Sequence, residues 1–417
     1  MAGTPQYIRN LNENLIMDAL INQGTMSRAD ISRQTGLSKP TVSLAIEHLI
    51  DRNLVREMGR ADNAQGRKAT LIRFNETAYY VCGIDIGATR IRIALSDLNG
   101  EIIAYRTYPM VVQEAYERAE ATMLELLRSH MNELLDENHL KWDQIQCIGF
   151  GIPGVVLPDS GRIHRIVDPL AGLEEAFSLE SLSGAFPCEV ILENDVNLAA
   201  LGEYRSGAAA GYPLFVFFSI GTGTGAGIMV HGQLLRGLGG LTGEIAEMLV
   251  DDGRRLEEVL SADGLMQLAK DYLDQHDELL LEAADSGADV NVNVDVDVDV
   301  VVVANDLHRH LTPEKLFEAA RSGEVEALEI LKQYSQKIAS ALRQISVVLA
   351  PDLIVLGGGV GGNGDVLLPL LRQIISEQFP VQPQLICSKL GEQAVVTGAV
   401  QVAIQQTMLN LQQEALD

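Results

Sequence analysis

Cysteine is scarce in this chain of 417 residues: Cys82, Cys147, Cys188 and Cys387 stand far apart and form no C-x-x-C pair. That argues against a disulfide framework and a thiolate zinc site, and it suits a reducing cytoplasm. Long apolar runs are missing too. Although 47% of the chain is apolar, no run reaches the roughly 18 residues that cross a bilayer. The opening "MAGTPQYIRNLNENL" lacks a basic segment followed by an apolar core, so no signal peptide is read. Cations are also short, with 31 Lys/Arg against 57 Asp/Glu and a net charge of −26. Such a balance ordinarily argues against nucleic acid, but its distribution weakens the objection. Residues 1–75 hold ten Lys/Arg and seven Asp/Glu, a net of +3, which leaves −29 for the remainder. An acidic body suppresses indiscriminate DNA sticking while a small basic head makes phosphate contacts.

In that head, Ile8, Leu11, Leu15, Ile16, Ala19 and Leu20 recur at helical spacing and predict one buried helical face. Ser27 followed by Asp30 predicts a capping box, and Gly36 a turn. Ser38 caps a second helix that tolerates Pro40 in its first turn. Its apolar face is Val42, Ala45, Ile46 and Leu49, which leaves Ser38, Lys39, Thr41 and Ser43 free for a major groove. Two short strands follow around a polar tip carrying Arg60, Gly66, Arg67 and Lys68, suited to phosphates or a minor groove. The pattern predicts a winged helix–turn–helix.

From Tyr79 strand and helix signals alternate, with Asn99-Gly100 a hairpin signal and His231-Gly232 a turn. Residues near 113–138 read as helical. "CEVILENDVNLAALGEYRSG" is a strand followed by a helix, with Glu193, Asn194 and Asp195 at the junction. "SIGTGTGAG" (219–227) joins two strands, so it is not the strand-to-helix loop of a Rossmann or Walker site; G-K-[ST] is absent as well. Successive glycine amides in such a hairpin still make a concave nest for anions. The run "DVNVNVDVDVDVVVV" (289–303) alternates like a half-buried strand. It lacks the Gly and Glu of a calcium loop and reads as a repeat-derived acidic insertion.

"DIGATR" (85–90), "GIPG" (151–154), "ENDVNLAALGE" (193–203), "GTGTGAG" (221–227), "GEIAEM" (243–248) and "VLGGG" (355–359) occur in an order and spacing that resembles the ROK family of sugar kinases and sugar-responsive repressors. The resemblance spans nearly the whole chain, head included. It implies an α/β fold: an N-terminal winged helix–turn–helix plus a two-lobed actin-like ATPase body. The domains it implies are 1–76 for the DNA-binding head, 79–198 plus about 393–417 for lobe 1, and 199–392 for lobe 2 with the insertion 289–303.

By that resemblance Asp195 matches the base that takes the proton from the attacking sugar hydroxyl. Asp85, Gly87 and Thr89 match the first phosphate hairpin; Gly221, Thr222, Gly223 and Gly225 match the second; Gly357, Gly358 and Gly359 match the nucleotide-side glycines. ATP and magnesium binding is thereby implied as possible. The implied sugar ligands are Asn194, Asp195, Glu244, Glu247, Glu257 and Asp168. The family kinases carry G-E-x-G-H and then a cysteine zinc cluster. Here Glu247 stands in place of the histidine, and "VDDGRRLEEVLSADG" contains no cysteine, so no metal, and no structural zinc in particular, is expected. Glu247 and Glu257 alternatively pair with Arg254 or Arg255. The expectation is a cytoplasmic sugar-responsive regulator that needs no cofactor. Its partners are operator DNA, a monosaccharide effector and further copies of itself in a homodimer or tetramer, with no membrane. The rival readings are an ATP-dependent sugar kinase with an accessory DNA-binding head, and an adaptor with a vestigial cleft.

Overall fold

The computed structural model describes residues 5–60, 70–110, 119–167, 170–250, 253–285, 311–378 and 382–413. Arg67, Lys68, Asp168 and the segment 289–303 lie outside the described residues.

The head comprises α1 (Pro5–Gln23), β1 (Met26–Ser27), α2 (Arg28–Thr35), α3 (Lys39–Asp51), β2 (Val55–Arg60) and β3 (Thr70–Phe74). Its strands form one sheet in the order β1-β3-β2, the winged arrangement. The capping box is present: the Asp30 amide donates to Ser27 Oγ at 3.2 Å, and the Ser27 amide donates back to Asp30 Oδ2 at 3.3 Å. Gly36 closes α2 with φ of 73°, a left-handed turn that glycine adopts without strain. Val42, Ala45, Ile46 and Leu49 are buried as their spacing predicts.

Only half of the expected apolar face of α1 is buried. Ile16, Ala19 and Leu20 are buried, but Ile8, Leu11 and Leu15 are 46–53% exposed. The inner face continues instead through Asn10 and Glu13, each 1% exposed. Glu13 Oε1 lies 2.8 Å from His48 Nδ1, and Glu13 Oε2 lies 3.5 Å from Arg52. A buried carboxylate is tolerable only with such partners. These come from α3 and its C-cap, 35 or more residues further on, where helical periodicity cannot register them.

The body repeats one plan twice. The first half contains β4 (Tyr80–Ile86), β5 (Arg90–Asp97), β6 (Ile102–Pro109), α4 (Ala119–Glu137), β7 (Ile145–Ile152), β8 (Gly154–Val156), β9 (Ile163–Ile166), α5 (Leu179–Ala185), β10 (Glu189–Asn194) and α6 (Asp195–Ser206). Its sheet runs β10-β7-β4-β5-β6, with antiparallel β4, β5 and β6 extended by parallel β7 and β10. The second half opens with β11 (Leu214–Ile220), β12 (Thr224–Val230) and β13 (Gln233–Leu234). Next come α7 (Leu256–Leu260), α8 (Ala262–Asp285), α9 (Pro313–Ser322), α10 (Val325–Leu349), β14 (Leu353–Gly357), α11 (Gly358–Gly361), α12 (Gly364–Gln378) and β15 (Gln384–Cys387). Its sheet, β13-β12-β11-β14-β15, has the same sense at every pairing as the first. Each half therefore opens on a β-hairpin with a glycine-containing turn, β4–β5 and β11–β12, and these are the two stretches matched to phosphate hairpins.

The last helix, α13 (Ala394–Gln413), returns to the first half and packs on α6, β4 and β7. Glycine permits the approach: a Cβ on Gly398 would sit 1.9 Å from the Leu198 carbonyl oxygen, and one on Gly202 would sit 2.3 Å from that of Ala394. Further along, Leu411 joins the hydrophobic cluster of the head, alongside Val42, Ile46 and Leu54. The Leu411 carbonyl accepts a hydrogen bond from Arg52 at 3.0 Å. Arg56 and Arg73 of the head both reach Glu76, at 2.7 and 3.1 Å. Head and body thus share one core.

Candidate functional sites in the cleft and the winged head

On the head, Ser38 caps α3: its hydroxyl accepts from the Thr41 amide at 3.3 Å and lies 2.8 Å from the Thr41 hydroxyl. Lys39 is exposed, and Thr41 and Ser43 are half-buried. Leu44, which the sequence reading passed over, is 62% exposed on the same helix and offers an apolar contact of the kind thymine methyls accept. Arg60 ends β2.

In the cleft, Asn194 is the N-cap of α6. Its Oδ1 accepts the Asn197 amide at 3.0 Å, and its Nδ2 donates to the Gly154 carbonyl at 3.1 Å. The helix start is thereby tied to the "GIPG" loop. Asp195 follows, with Oδ1 accepting the Val196 amide at 2.8 Å. Burial pushes the Asp195 carboxyl up to about 7, with further upward pressure from Asp85 and Glu244. Burial likewise raises Asp85 to about 6, against the opposing pull of Arg92 at 3.1 Å. These three acids therefore share one electrostatic site.

The two hairpins are tight. The Gly87 amide donates to the Arg90 carbonyl at 2.9 Å, Thr89 is exposed, and the Gly221 amide donates to the Gly223 carbonyl at 2.9 Å. Thr222 is exposed at the tip of the β11–β12 turn. A Cβ on Gly221 would lie 3.4 Å from the Gly359 amide nitrogen, so this turn meets the glycines after β14. Gly357 pairs with Ser219, and Gly358, with φ of 81°, lies against the backbone of Ile220. Gly225 and Gly227 have another explanation. A Cβ on Gly227 would come within 2.6 Å of Ala200, and one on Gly225 within 3.1 Å of Val196, so both glycines let β12 approach α6.

Charged groups beside the two hairpins already have partners within the chain. Asp85 is engaged by Arg92, which also lies 3.1 Å from Glu392. The Thr224 amide at the end of the second hairpin already donates to Glu257 Oε2 at 2.8 Å. An internal cation and an internal anion thus each hold a group beside the hairpins.

On the sugar side Glu244 is half-buried, whereas Glu247 is exposed and 3.5 Å from Arg255, which also donates to Glu258 at 2.9 Å. Where the kinases' zinc loop would lie, Leu249 pairs with Arg255 and the Leu256 amide donates to the Met248 carbonyl at 2.7 Å. With no thiolate among these residues a zinc cluster does not fit. Among the described residues, no group of three or more His, Cys, Asp or Glu is placed to hold a metal ion.

Four further charged residues were assigned no role from the sequence. Arg92 is one. Glu193 is another, 8% exposed, with its carboxylate accepting from the amide of Asn194, from Asn197 Nδ2 and from Arg236 Nε. Arg236 is the third. Glu203, fully buried at the far end of the "ENDVNLAALGE" stretch, accepts from Ser388 Oγ and from the amides of Leu390 and Ala208, a structural clasp. Arg92 faces Asp85 directly across the β4–β5 pairing, a local contact that follows from the hairpin register, whereas Arg236 lies 43 residues from Glu193 and Ser388 lies 185 from Glu203, beyond the reach of any local pattern.

The ROK family profile matches residues 81–406, and a winged helix-turn-helix DNA-binding profile matches residues 9–56. A xylose repressor of Caldicellulosiruptor bescii is 22% identical over 406 residues, 96% of this chain and 97% of that protein. A ROK family transcriptional regulator, a homologue of the Escherichia coli MLC protein, superposes with a TM-score of 0.69 at 21% identity, covering 97% of this chain and 98% of its own. A Streptomyces griseus ROK glucokinase solved with glucose and AMPPNP gives a TM-score of 0.61 at 21% identity, covering 78% of this chain and 99% of its own. Regulator architecture extends over the whole molecule, kinase architecture over the body alone. With its motifs, its doubled sheet plan and a profile match across the body, the chain belongs to the ROK family, in the branch that joins a winged helix-turn-helix to the sugar-kinase fold.

Proposed function

We propose that this protein is a sugar-responsive transcriptional repressor. Its winged head holds operator DNA, its cleft takes a monosaccharide, and occupancy of the cleft lowers operator affinity. The observation that carries this reading is the reach of α13. One part of it packs on α6, the helix that begins at Asp195, and another part is held by Arg52 at the end of α3. A displacement of α6 on sugar binding therefore has a rigid element through which to act on the head. A full-length relative named a xylose repressor supports a monosaccharide effector. The sugar ligands in this reading are Asn194, Asp195, Glu244, Glu247, Glu257 and Asp168, the last outside the described residues. The head 1–76 and the two lobes remain the working domain limits. Helix–turn–helix heads read paired half-sites, so a homodimer or a tetramer is the working assembly. No described helix is long and apolar enough to cross a membrane, which agrees with a protein acting beside its DNA in the cytoplasm.

The ROK family includes sugar kinases, and Asp195 stands where their base stands. Arg92, held on Asp85, supports sensing over phosphoryl transfer in this reading. The test is a gel-shift panel with operator fragments selected from random DNA, titrated with pentoses, hexoses and N-acetylhexosamines. At least one sugar is expected to release the DNA; if none does, the reading falls. ATP turnover with a sugar, abolished by Asp195→Asn, would establish the kinase instead.

A further inference from the structure

Arg236 follows β13 of the second sheet, while Glu193 is in β10 of the first. Their contact, Arg236 Nε to Glu193 Oε2 at 2.8 Å, therefore bridges the two halves of the body. Its acceptor side is well built. The Glu193 side chain is 11% exposed, and its other oxygen holds the amide of Asn194 and the side chain of Asn197, each at 3.0 Å. Those two residues set the start of α6 and hence the placement of Asn194 and Asp195.

The donor side is a loop. Arg236 opens the stretch "RGLGGLTGE", whose Gly237, Gly239, Gly240 and Gly243 all have positive φ and which ends at Glu244. The Thr242 amide donates to the Arg236 carbonyl at 3.2 Å, closing the loop on itself. Gly240 lies against the first half, where a Cβ would be 2.8 Å from the Val156 carbonyl oxygen. Leu238 and Leu241 are 90% and 54% exposed, so little apolar burial holds this loop down. The Glu244 end of the loop is tied to β12, where the Ala226 amide donates to the Gly243 carbonyl at 2.9 Å, so the charge-assisted bond from Arg236 acts on the glycine-rich span before it, which has many conformations to lose.

We propose that Arg236 is a positioning residue: through Glu193 it latches the glycine loop bearing Glu244 to the turn bearing Asn194 and Asp195, and so sets effector affinity. The effect on affinity rests on the sugar-binding reading of the cleft; the latch itself does not. Arg236 touches no reacting or bound group in this role. It fixes the distance between two sets of ligands contributed by opposite halves.

The test uses the full-length protein with Arg236→Ala, Arg236→Lys, Glu193→Gln and the Arg236→Ala/Glu193→Gln double variant. Arg236 is half exposed, so Arg236→Ala leaves the hydrophobic core intact. Hydrogen exchange is read at the amides of Asn194, Asn197 and Thr242, and calorimetry measures binding of D-xylose, D-glucose and N-acetyl-D-glucosamine. Arg236→Ala is expected to speed exchange at these amides and to weaken sugar binding, each by about two- to fivefold, the size for a pair whose cation is half exposed. Arg236→Lys should recover part of both, and the double variant should be no worse than the poorer single one, because the partners act as a unit. Unchanged exchange in Arg236→Ala, or fully additive losses in the double variant, would overturn the latch. Accelerated exchange with unchanged affinity for a bound sugar would overturn its role in setting affinity. If none of the three sugars binds the unmodified protein, the cleft reading fails for them while exchange still decides the latch.

Discussion

Asp195 is legible twice, as a motif in the sequence and as a strained charge in the fold. Burial, Asp85 and Glu244 together raise its carboxyl to about 7. A carboxyl that holds its proton more tightly when folded than when unfolded favours folding most at low pH. That contribution is lost as pH climbs from the ordinary carboxylate range, about 4, through 7, and the slope is flat above. Asp195→Asn keeps an acceptor for the Val196 amide and removes the charge. The variant should melt a few degrees above the parent at pH 8, with the gap shrinking steadily to nothing near pH 4, as checked by thermal unfolding at four pH values. A constant gap would place the effect in packing. Asp195 and Asn194 could be picked out from sequence because their motif is contiguous. Arg236 could not, because its partner lies 43 residues earlier and on the other sheet.

At the scale of elements, periodicity worked where a helix has a single apolar stripe and failed where it has two. In α3 the one stripe is buried. In α1 the stripe Ile8, Leu11 and Leu15 competes with Ile16, Met17 and Leu20, and Glu13 decides the contest because His48 and Arg52 await it on the inner side. The alternating glycines of "GTGTGAG" divide similarly: the first two shape a turn, and the last two make room for α6. Close backbone approach also predicts the outcome of substitution in α13. Gly398→Ala gains about 1 kcal/mol of helix propensity, yet its methyl would meet the Leu198 carbonyl at 1.9 Å. Overpacking of this kind costs about 1–3 kcal/mol, and a backbone atom cannot step aside as a side chain does. Net destabilisation is expected in denaturant titration, and unchanged stability would mean that α13 shifts freely on α6.

For the whole molecule the decisive contact joins Arg52 to Leu411, linking residues 359 apart. In the proposed repressor it lies between effector and operator, so Arg52→Ala should separate the two. Sugar-driven loss of operator affinity, typically about 5- to 150-fold in such linkage, should shrink toward none, while binding of sugar itself stays close to normal. Gel shifts with and without sugar, beside calorimetry of sugar binding, read both. A head that melts separately from the body would show as a second thermal transition and would explain any loss of DNA binding in the sugar-free state.

By itself the sequence determined the winged head, the β4–β5 and β11–β12 hairpins, the strand-to-helix junction at Asn194 and the family motifs, because each depends on neighbours a few residues apart: caps, turns, periodic faces and contiguous glycines. Tertiary structure alone decided which stripe of α1 faces inward, which acids become coupled, and which cations meet them. Glu257 on the Thr224 amide, Arg236 on Glu193 and Arg52 on Glu13 all depend on that assembly, whereas Arg92 meets Asp85 across the β4–β5 hairpin. Charge interactions decay with distance in space and not along the chain. Residues without a motif therefore acquire their roles only when folding brings the two halves and the head onto one core.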